Sequence, residues 1–362
     1  MQSIKDEAHI FVLDGWRGIS IILVLIAHLV PLPGARAMKL ISFTLKNLSS
    51  GFIEINASGW NFNDSTGILG MVIFFNLSGF LITNFLLKNN ATTSNFLIRR
   101  FFRIIPLVWL YITIVFFILQ PKISVWLSNL FFYANLPPKQ LIPFHDHLWS
   151  ICVEVQFYLG IAILFFLFNR KGLFILPLMA VSFTALRIYN HSLASTITFL
   201  RIDEILAGCT LSLLLNGQFG NIGQKFILFI KNLPQIPFFL LLYISSFPQS
   251  QDVNYFRPYI CALLIGSTIF TPHSNLSKFL STKTLKYLAL ISYALYVIHL
   301  GLTQTWLGQG NLTEKYIKRP LLLVVLFILA HISTFYFEKY WILFGRNLSK
   351  NNKLSNHLNN IN

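Results

Sequence analysis

Arg17 and His28 stand eleven residues apart at the start of a long apolar run, just after Asp14-Gly15-Trp16. At about 100° per residue, eleven residues make nearly three turns, so a helix would carry both side chains on one face, roughly 16 Å apart along its axis. A fixed cation and an imidazole are thereby aligned: one group can hold an anion, the other can take a proton near neutral pH. A second set is His147, Trp149, Ser150, Glu154 and Tyr158, of which His147, Ser150, Glu154 and Tyr158 follow i, i+3, i+7, i+11 and share a helix face. Ser292, Tyr293, Tyr296 and His299 repeat the theme later in the chain. Arg99, Arg100 and Arg103 form a cluster whose guanidinium forks suit phosphate groups. Each set also admits a plainer role. Arg17 can be a snorkelling flank, His28 and His299 hydrogen-bonded interior histidines, His147-Leu148-Trp149 an interface belt, and the arginines a topology signal or a seat for anionic lipid.

The elements that must position these groups are set by composition. Of 362 residues, 55% are hydrophobic and 11% charged, and mean hydropathy is +0.63. These values exclude an ordinary soluble domain and predict an all-α integral membrane protein. Apolar stretches near 18–33, 68–88, 104–120, 148–168, 172–190, 198–215, 233–248, 257–272, 287–307 and 320–343 predict ten transmembrane helices. The seventh is interrupted by Pro234, Pro237 and Pro248, and the sixth carries Arg201, Asp203 and Glu204 near its start. Most basic residues fall on one side of such a bundle if both termini are cytoplasmic, so the net charge of +16 is read as membrane topology rather than as affinity for nucleic acid. The expected division is a transmembrane domain over 1–345 and a polar, disordered cytoplasmic tail over 346–362.

Cys152, Cys209 and Cys261 sit apart in apolar runs, which indicates neither a disulfide framework nor a metal site. Ala35-Arg36-Ala37 resembles a signal-peptide cleavage site, but Asp6, Glu7 and Asp14 make a poor leader, so the first run is read as a span. Asn-x-Ser/Thr triplets at Asn56 and Asn311 carry little weight in a chain so rich in Asn and Ser. No internal repeat is visible, which weakens an inverted-repeat transporter reading. An ionisable group inside a span persists when it pairs, lines a cavity or does chemistry, so the polar stripes above are the candidates for function.

Taken in order, these segments resemble acyltransferase family 3, integral-membrane O-acyltransferases of the kind that acetylate O-antigen and exopolysaccharide. Leu13-Asp14-Gly15-Trp16-Arg17-Gly18 through His28 is similar to the family's Arg-x10-His signature. Phe74-Phe75-Asn76-Leu77-Ser78-Gly79-Phe80 resembles its Phe-Phe-x-Leu-Ser-Gly-Phe segment, and Arg99 to Pro106 its arginine step. His147-Leu148-Trp149-Ser150 to Glu154, Arg201-Ile202-Asp203 to Gly208, and Ser292-Tyr293 to His299 match the later motifs. Asn76 in place of an aliphatic, Gly301 where a proline often follows the histidine, and Glu338-Lys339-Tyr340 without its proline are departures.

The resemblance implies an acyl-CoA donor, acetyl-CoA above all, on the cytoplasmic side of a multi-pass cell inner membrane protein, and a hydroxyl of an envelope carbohydrate as acceptor. It implies His28 as base, helped by Glu154 and Arg17, and Arg99, Arg100 and Arg103 as the donor site. Asp14, Ser78, His147, Trp149, Ser150, Tyr158, Arg201, Asp203, Tyr293 and His299 become candidates for the acceptor site or pocket wall. No metal is expected. The partners expected are membrane lipid, the carbohydrate acceptor, and either a second copy or a separate extracytoplasmic protein, since some relatives carry a fused esterase-like domain for which the residues after the last span leave no room. The competing class is a secondary transporter or lipid-linked saccharide carrier that moves its substrate without chemical change.

Overall fold

The computed structural model of the protein describes residues 11–30, 62–88, 91–250 and 252–359. Ala35-Arg36-Ala37, Asn56 and most of the first predicted outer loop lie outside these residues. Among the described residues the regular structure is helical, with no strand. The helices are α1 (Phe11–Leu29), α2 (Phe62–Leu86), α3 (Thr93–Leu119), α4 (Ile123–Leu130), α5 (Trp149–Gly172), α6 (Leu176–Tyr189) and α7 (Asp203–Leu215). They continue as α8 (Gly220–Lys231), α9 (Gln235–Ile244), α10 (Val253–Phe270), α11 (Asn275–Leu280), α12 (Lys283–Thr303), α13 (Leu312–Ile332) and α14 (Lys339–Asn359).

Local chemistry sets several of these boundaries. The Thr92 side chain caps α3 by accepting from Asn95 N, and Gln120 closes the helix in the left-handed conformation at φ 46°. Asn311 caps α13 by accepting from Glu314 N. Asn169, at φ 50° and ψ −142°, breaks the long run that begins at Trp149.

Each of the ten predicted apolar stretches coincides with a helix, yet the count of spans is smaller. Among the described residues, six helical runs are long and apolar enough to cross a membrane: Phe11–Leu29, Phe62–Leu86, Thr93–Leu119, Asp146–Tyr189, Lys283–Thr303 and Thr313–Lys350. The fourth holds two of the predicted stretches in 44 residues. Helices α7 and α8, bent by 108°, together make a seventh candidate. The difference has more than one cause: α10 is 18 residues long but carries Asn254, Arg257 and Pro258, whereas α9 is too short. At 1.5 Å per residue α9 reaches only about 15 Å, half of a hydrocarbon core about 30 Å thick.

The bundle is built around α1, which packs against α2 on one side and α12 on the other, while α2 also packs along α7. Two apolar clusters share α1: Val12, Leu13 and Trp16 join α2, α7 and α10, whereas Ile21, Val24, Leu25 and Leu29 join α3, α5 and α12. The outward surface is apolar too, with Phe117, Phe166, Ile236 and Ile317 all more than two-thirds exposed. Apolar inside and out is the pattern of a multi-pass membrane protein.

Gly79 on α2 and Gly208 on α7 are the point of closest backbone approach. A Cβ on Gly79 would run into the Ile205 carbonyl, and one on Gly208 into the Asn76 carbonyl. Small residues at a helix crossing are how membrane bundles gain van der Waals contact. This seam fixes the depth of Ser78, one residue before Gly79.

Candidate active site

The polar stripes fold into two centres at opposite ends of α1. At the end carrying Arg17, Arg100 and Arg103 of α3 converge with Glu154 and Tyr158 of α5, Ser78 of α2 and Tyr293 of α12 around one small cavity. Glu154 is buried. Its Oε1 accepts from Ser78 Oγ at 2.5 Å and also from the Tyr158 hydroxyl. The Arg100 guanidinium lies over the Tyr158 ring, 5.6 Å from its centroid. Asp14, Arg100 and Glu154 all act electrostatically on Arg17. The Tyr293 hydroxyl reaches across to donate to the Ile104 carbonyl at 2.5 Å, tying α12 to α3.

On the outer side of these arginines opens a cavity of about 180 Å³ lined by Arg99, Arg100, Arg103 and Arg346 among the apolar side chains of Phe85, Phe96 and Ile342. Arg99 lies over the Phe85 ring and its Nε donates to Ser349 Oγ at 3.1 Å. From sequence alone Arg346 and Ser349 fall in the tail; α14 brings both back against α3. Four guanidinium groups around one mouth form a strong anion site.

The other centre is a trio of imidazoles. His28 Nδ1 lies 3.2 Å from His299 Nε2, and the His299 and His147 rings meet edge to face with centroids 4.9 Å apart. His299 and His147 are buried, whereas His28 stays exposed on one side. His147 Nε2 donates to the Val297 carbonyl at 3.0 Å. Tyr296 completes the cluster: its hydroxyl donates to the His147 carbonyl and lies 2.6 Å from Ser150 Oγ. In the loop before α5, burial pushes the nearby His145 down to about 4.

A narrow void runs from the arginine end toward the imidazole end. It is lined by Arg17, Ser20, Ile21 and Val24 along one face of α1, by Met71 and Phe74 of α2, by Ile151 and Glu154, and by Ser292, Tyr293 and Tyr296. It shares Arg17, Glu154 and Tyr293 with the inner basic cavity, which in turn shares Arg100 and Arg103 with the outer mouth. Tyr296, at the far end, stacks on Phe74 with ring planes 8° apart and touches His299. Neighbouring cavities that share lining residues therefore run from four arginines as far as Tyr296, whose ring contacts His299.

That series, together with the ordered motifs, agrees with a comparison across the whole chain: a family model for an acyltransferase domain matches residues 10–339. The chain belongs to acyltransferase family 3. The peptidoglycan O-acetyltransferase OatA of Listeria monocytogenes is 28% identical over 326 residues, which are 75% of this chain and 51% of that protein. The O-acetyltransferase OatA of Staphylococcus aureus is 25% identical over 312 residues, 75% of this chain and 50% of that protein. The chain thus spans about half the length of the curated relatives it matches. No solved structure matches it.

In this member of the family the motif residues sort differently from the expectation in two places. Glu154, expected beside His28, instead joins Ser78, Tyr158 and the arginines, and the ring nitrogen of His28 meets His299. The cause is position along the helix, because Glu154 stands two turns beyond His147 on α5 and so lies at the level of Arg17. Arg201 and Asp203 line none of these cavities. They belong to a separate buried ion network: Asp203 with Arg187 at 2.5 Å, and Glu204 with Arg201 at 3.0 Å and Arg257 at 3.1 Å. Arg201 also covers Trp149, which stands edge-on to Phe75, so this network braces the imidazole end from behind.

Three further residues bear on this site, Ser20 by lining the narrow void and Asp64 and Glu338 electrostatically. Ser20 lies one turn above Arg17 and donates to the Gly70 carbonyl, and its place on the Arg17 face was readable from the helical period. Asp64, in the first turn of α2, acts electrostatically on His28 but reads as an outer-loop residue. Glu338 accepts from Ser333 and Thr334 within a π-turn and acts on Tyr293 and Arg103. No sequence period announces a π-turn.

Proposed function

We propose that this chain transfers an acetyl group from acetyl-CoA, held at the arginine mouth, to a hydroxyl of a cell-envelope carbohydrate at the imidazole end. The single observation that carries the reading is the series of neighbouring cavities from Arg99, Arg100, Arg103 and Arg346, past Arg17, to Tyr296, whose ring contacts His147 and His299. The mouth suits the phosphate groups of a nucleotide, and the passage has the direction that a thin thioester arm needs. Both termini lie on the cytoplasmic side, in agreement with the basic residues around the mouth, and the protein resides in the inner membrane.

In the reaction His28, neutral near pH 7, takes the proton of the acceptor hydroxyl as its oxygen bonds to the thioester carbonyl carbon. The tetrahedral adduct collapses, the carbon–sulfur bond breaks, and the imidazolium returns the proton to the departing thiolate. The products are an ester and a thiol, with no net change of protons on the enzyme. Arg17 holds the donor at the inner end of the basic cavity. Glu154, fixed by Ser78 and Tyr158, balances the charge of Arg17, Arg100 and Arg103 when no phosphate is bound.

The relatives' names supply the carbohydrate class: peptidoglycan for the Listeria protein. The test is replacement of His28 by Ala in the full chain, followed by measurement of alkali-labile acetate on the envelope glycans of cells that make it. A membrane-inserted variant should leave the glycans unmodified. Wild-type acetylation by that variant removes His28 from the chemistry.

A further inference from the structure

A general base must present a lone pair to its substrate, and for a neutral imidazole this depends on which nitrogen carries the proton. The surroundings of His28 determine that choice. His299 Nδ1 lies 2.6 Å from the Tyr296 carbonyl oxygen. A carbonyl can only accept, so His299 Nδ1 carries its proton, and in the neutral ring Nε2 is left as an acceptor. That Nε2 faces His28 Nδ1 at 3.2 Å. Two bare nitrogens would repel, so His28 Nδ1 carries a proton and donates it, and the lone pair of a neutral His28 is on Nε2. The Val24 carbonyl, one turn back on α1, is a further acceptor for the His28 ring.

The rest of the cluster keeps His299 free for this contact. His147 Nε2 is committed to the Val297 carbonyl. The Tyr296 hydroxyl is committed to the His147 carbonyl and Ser150. His299 is fully buried, so water does not compete for its Nε2. From α2, Asp64 acts on His28 electrostatically, favouring the charged ring.

We propose that His299 is a positioning residue for His28: it accepts the Nδ1 proton and so holds the ring in the tautomer whose Nε2 receives the acceptor's proton. The inference rests on the reading of His28 as the base. The wrong tautomer can cost a histidine base up to about 10⁴-fold in rate.

The test compares His299→Leu, which fills the space without an acceptor, with His299→Gln, whose Oε1 can accept near the position of Nε2, and with His28→Ala as reference. Each full-length variant is made in cells for measurement of alkali-labile acetate per inserted copy, and is purified for its thermal shift with acetyl-CoA alone. The expected result is a loss of about 10²-fold or more for Leu, in the range of general-base catalysis, with recovery of most of that loss by Gln and an unchanged acetyl-CoA shift in both. Full acetylation by His299→Leu beside an inactive His28→Ala overturns the tautomer role and leaves the base reading intact. Equal loss in Gln and Leu, or loss of insertion in both, assigns His299 to packing instead. Activity in His28→Ala defeats the base reading itself, and the positioning role with it.

Discussion

At the scale of single residues, the Glu154 carboxylate sits among the arginines of the inner basic cavity. Two hydroxyls donate to one of its oxygens, and three arginines act within the same cavity. A hydrogen bond to a charged acceptor contributes about 1.5–3 kcal/mol, so Tyr158→Phe should lower the stability of the purified protein by about that amount and weaken acetyl-CoA affinity by disturbing Arg100, which rests on the same ring. Thermal unfolding with and without donor checks both. His145 gives a pH signature of its own. Buried neutral and pushed down to about 4, it binds no proton in the native state between that value and the ordinary 6.5, whereas the unfolded chain does. Its contribution is therefore fully present above pH 6.5 and is lost as pH falls toward 4. His145→Gln should flatten the stability curve in that window, and an unchanged slope would assign the acid sensitivity to other groups. The shared face of Arg17 and His28 was legible from sequence because both lie on one helix. The partnership of His28 with His299 was not, since it depends on how deep two helices sit relative to one another.

At the scale of elements, the glycine seam between α2 and α7 decides that depth. Gly208→Val would force its new side chain against the Asn76 carbonyl and push the two helices apart. Overpacking of this kind usually costs about 1–3 kcal/mol. The expected outcome is a lowered unfolding temperature together with reduced acetylation, because Ser78 moves with α2 and releases Glu154. The buried ions of α7 make a second element-scale case. Removing one partner, as in Asp203→Ala, strands Arg187 without its counter-charge and should destabilise by about 3–5 kcal/mol, whereas replacing both with apolar residues should cost much less. A double-mutant cycle on unfolding midpoints checks the difference. From sequence, the motif around Arg201 and Asp203 reads as pocket lining, since hydropathy cannot distinguish ions that pair with each other from ions that face a ligand. The positions of the apolar helices were legible, including the break near Asn169 between the stretches 148–168 and 172–190; the short helices α4, α8 and α11 and the helical continuation of α14 past residue 346 were not, because they lack a long apolar run.

At the scale of the whole molecule, charge is segregated along the axis of α1, with arginines at one end and neutral imidazoles at the other. Salt screens exposed charges over about 8 Å at physiological ionic strength, so acetyl-CoA affinity should fall steeply with added salt. Arg103→Gln should make that dependence shallower as well as weakening affinity. A titration at several salt concentrations measures both, and an unchanged slope would return the cluster to membrane topology. The all-helical membrane class was legible from composition alone, since so apolar a chain has few other ways to satisfy its backbone.

The narrowness of the middle void has a consequence for passage. At about 20 Å³ beside the stacked Phe74 and Tyr296 rings, it has space for about one water molecule. On the proposed reading an acyl arm can pass only when those two rings swing apart, so the meeting of donor and acceptor waits on that motion.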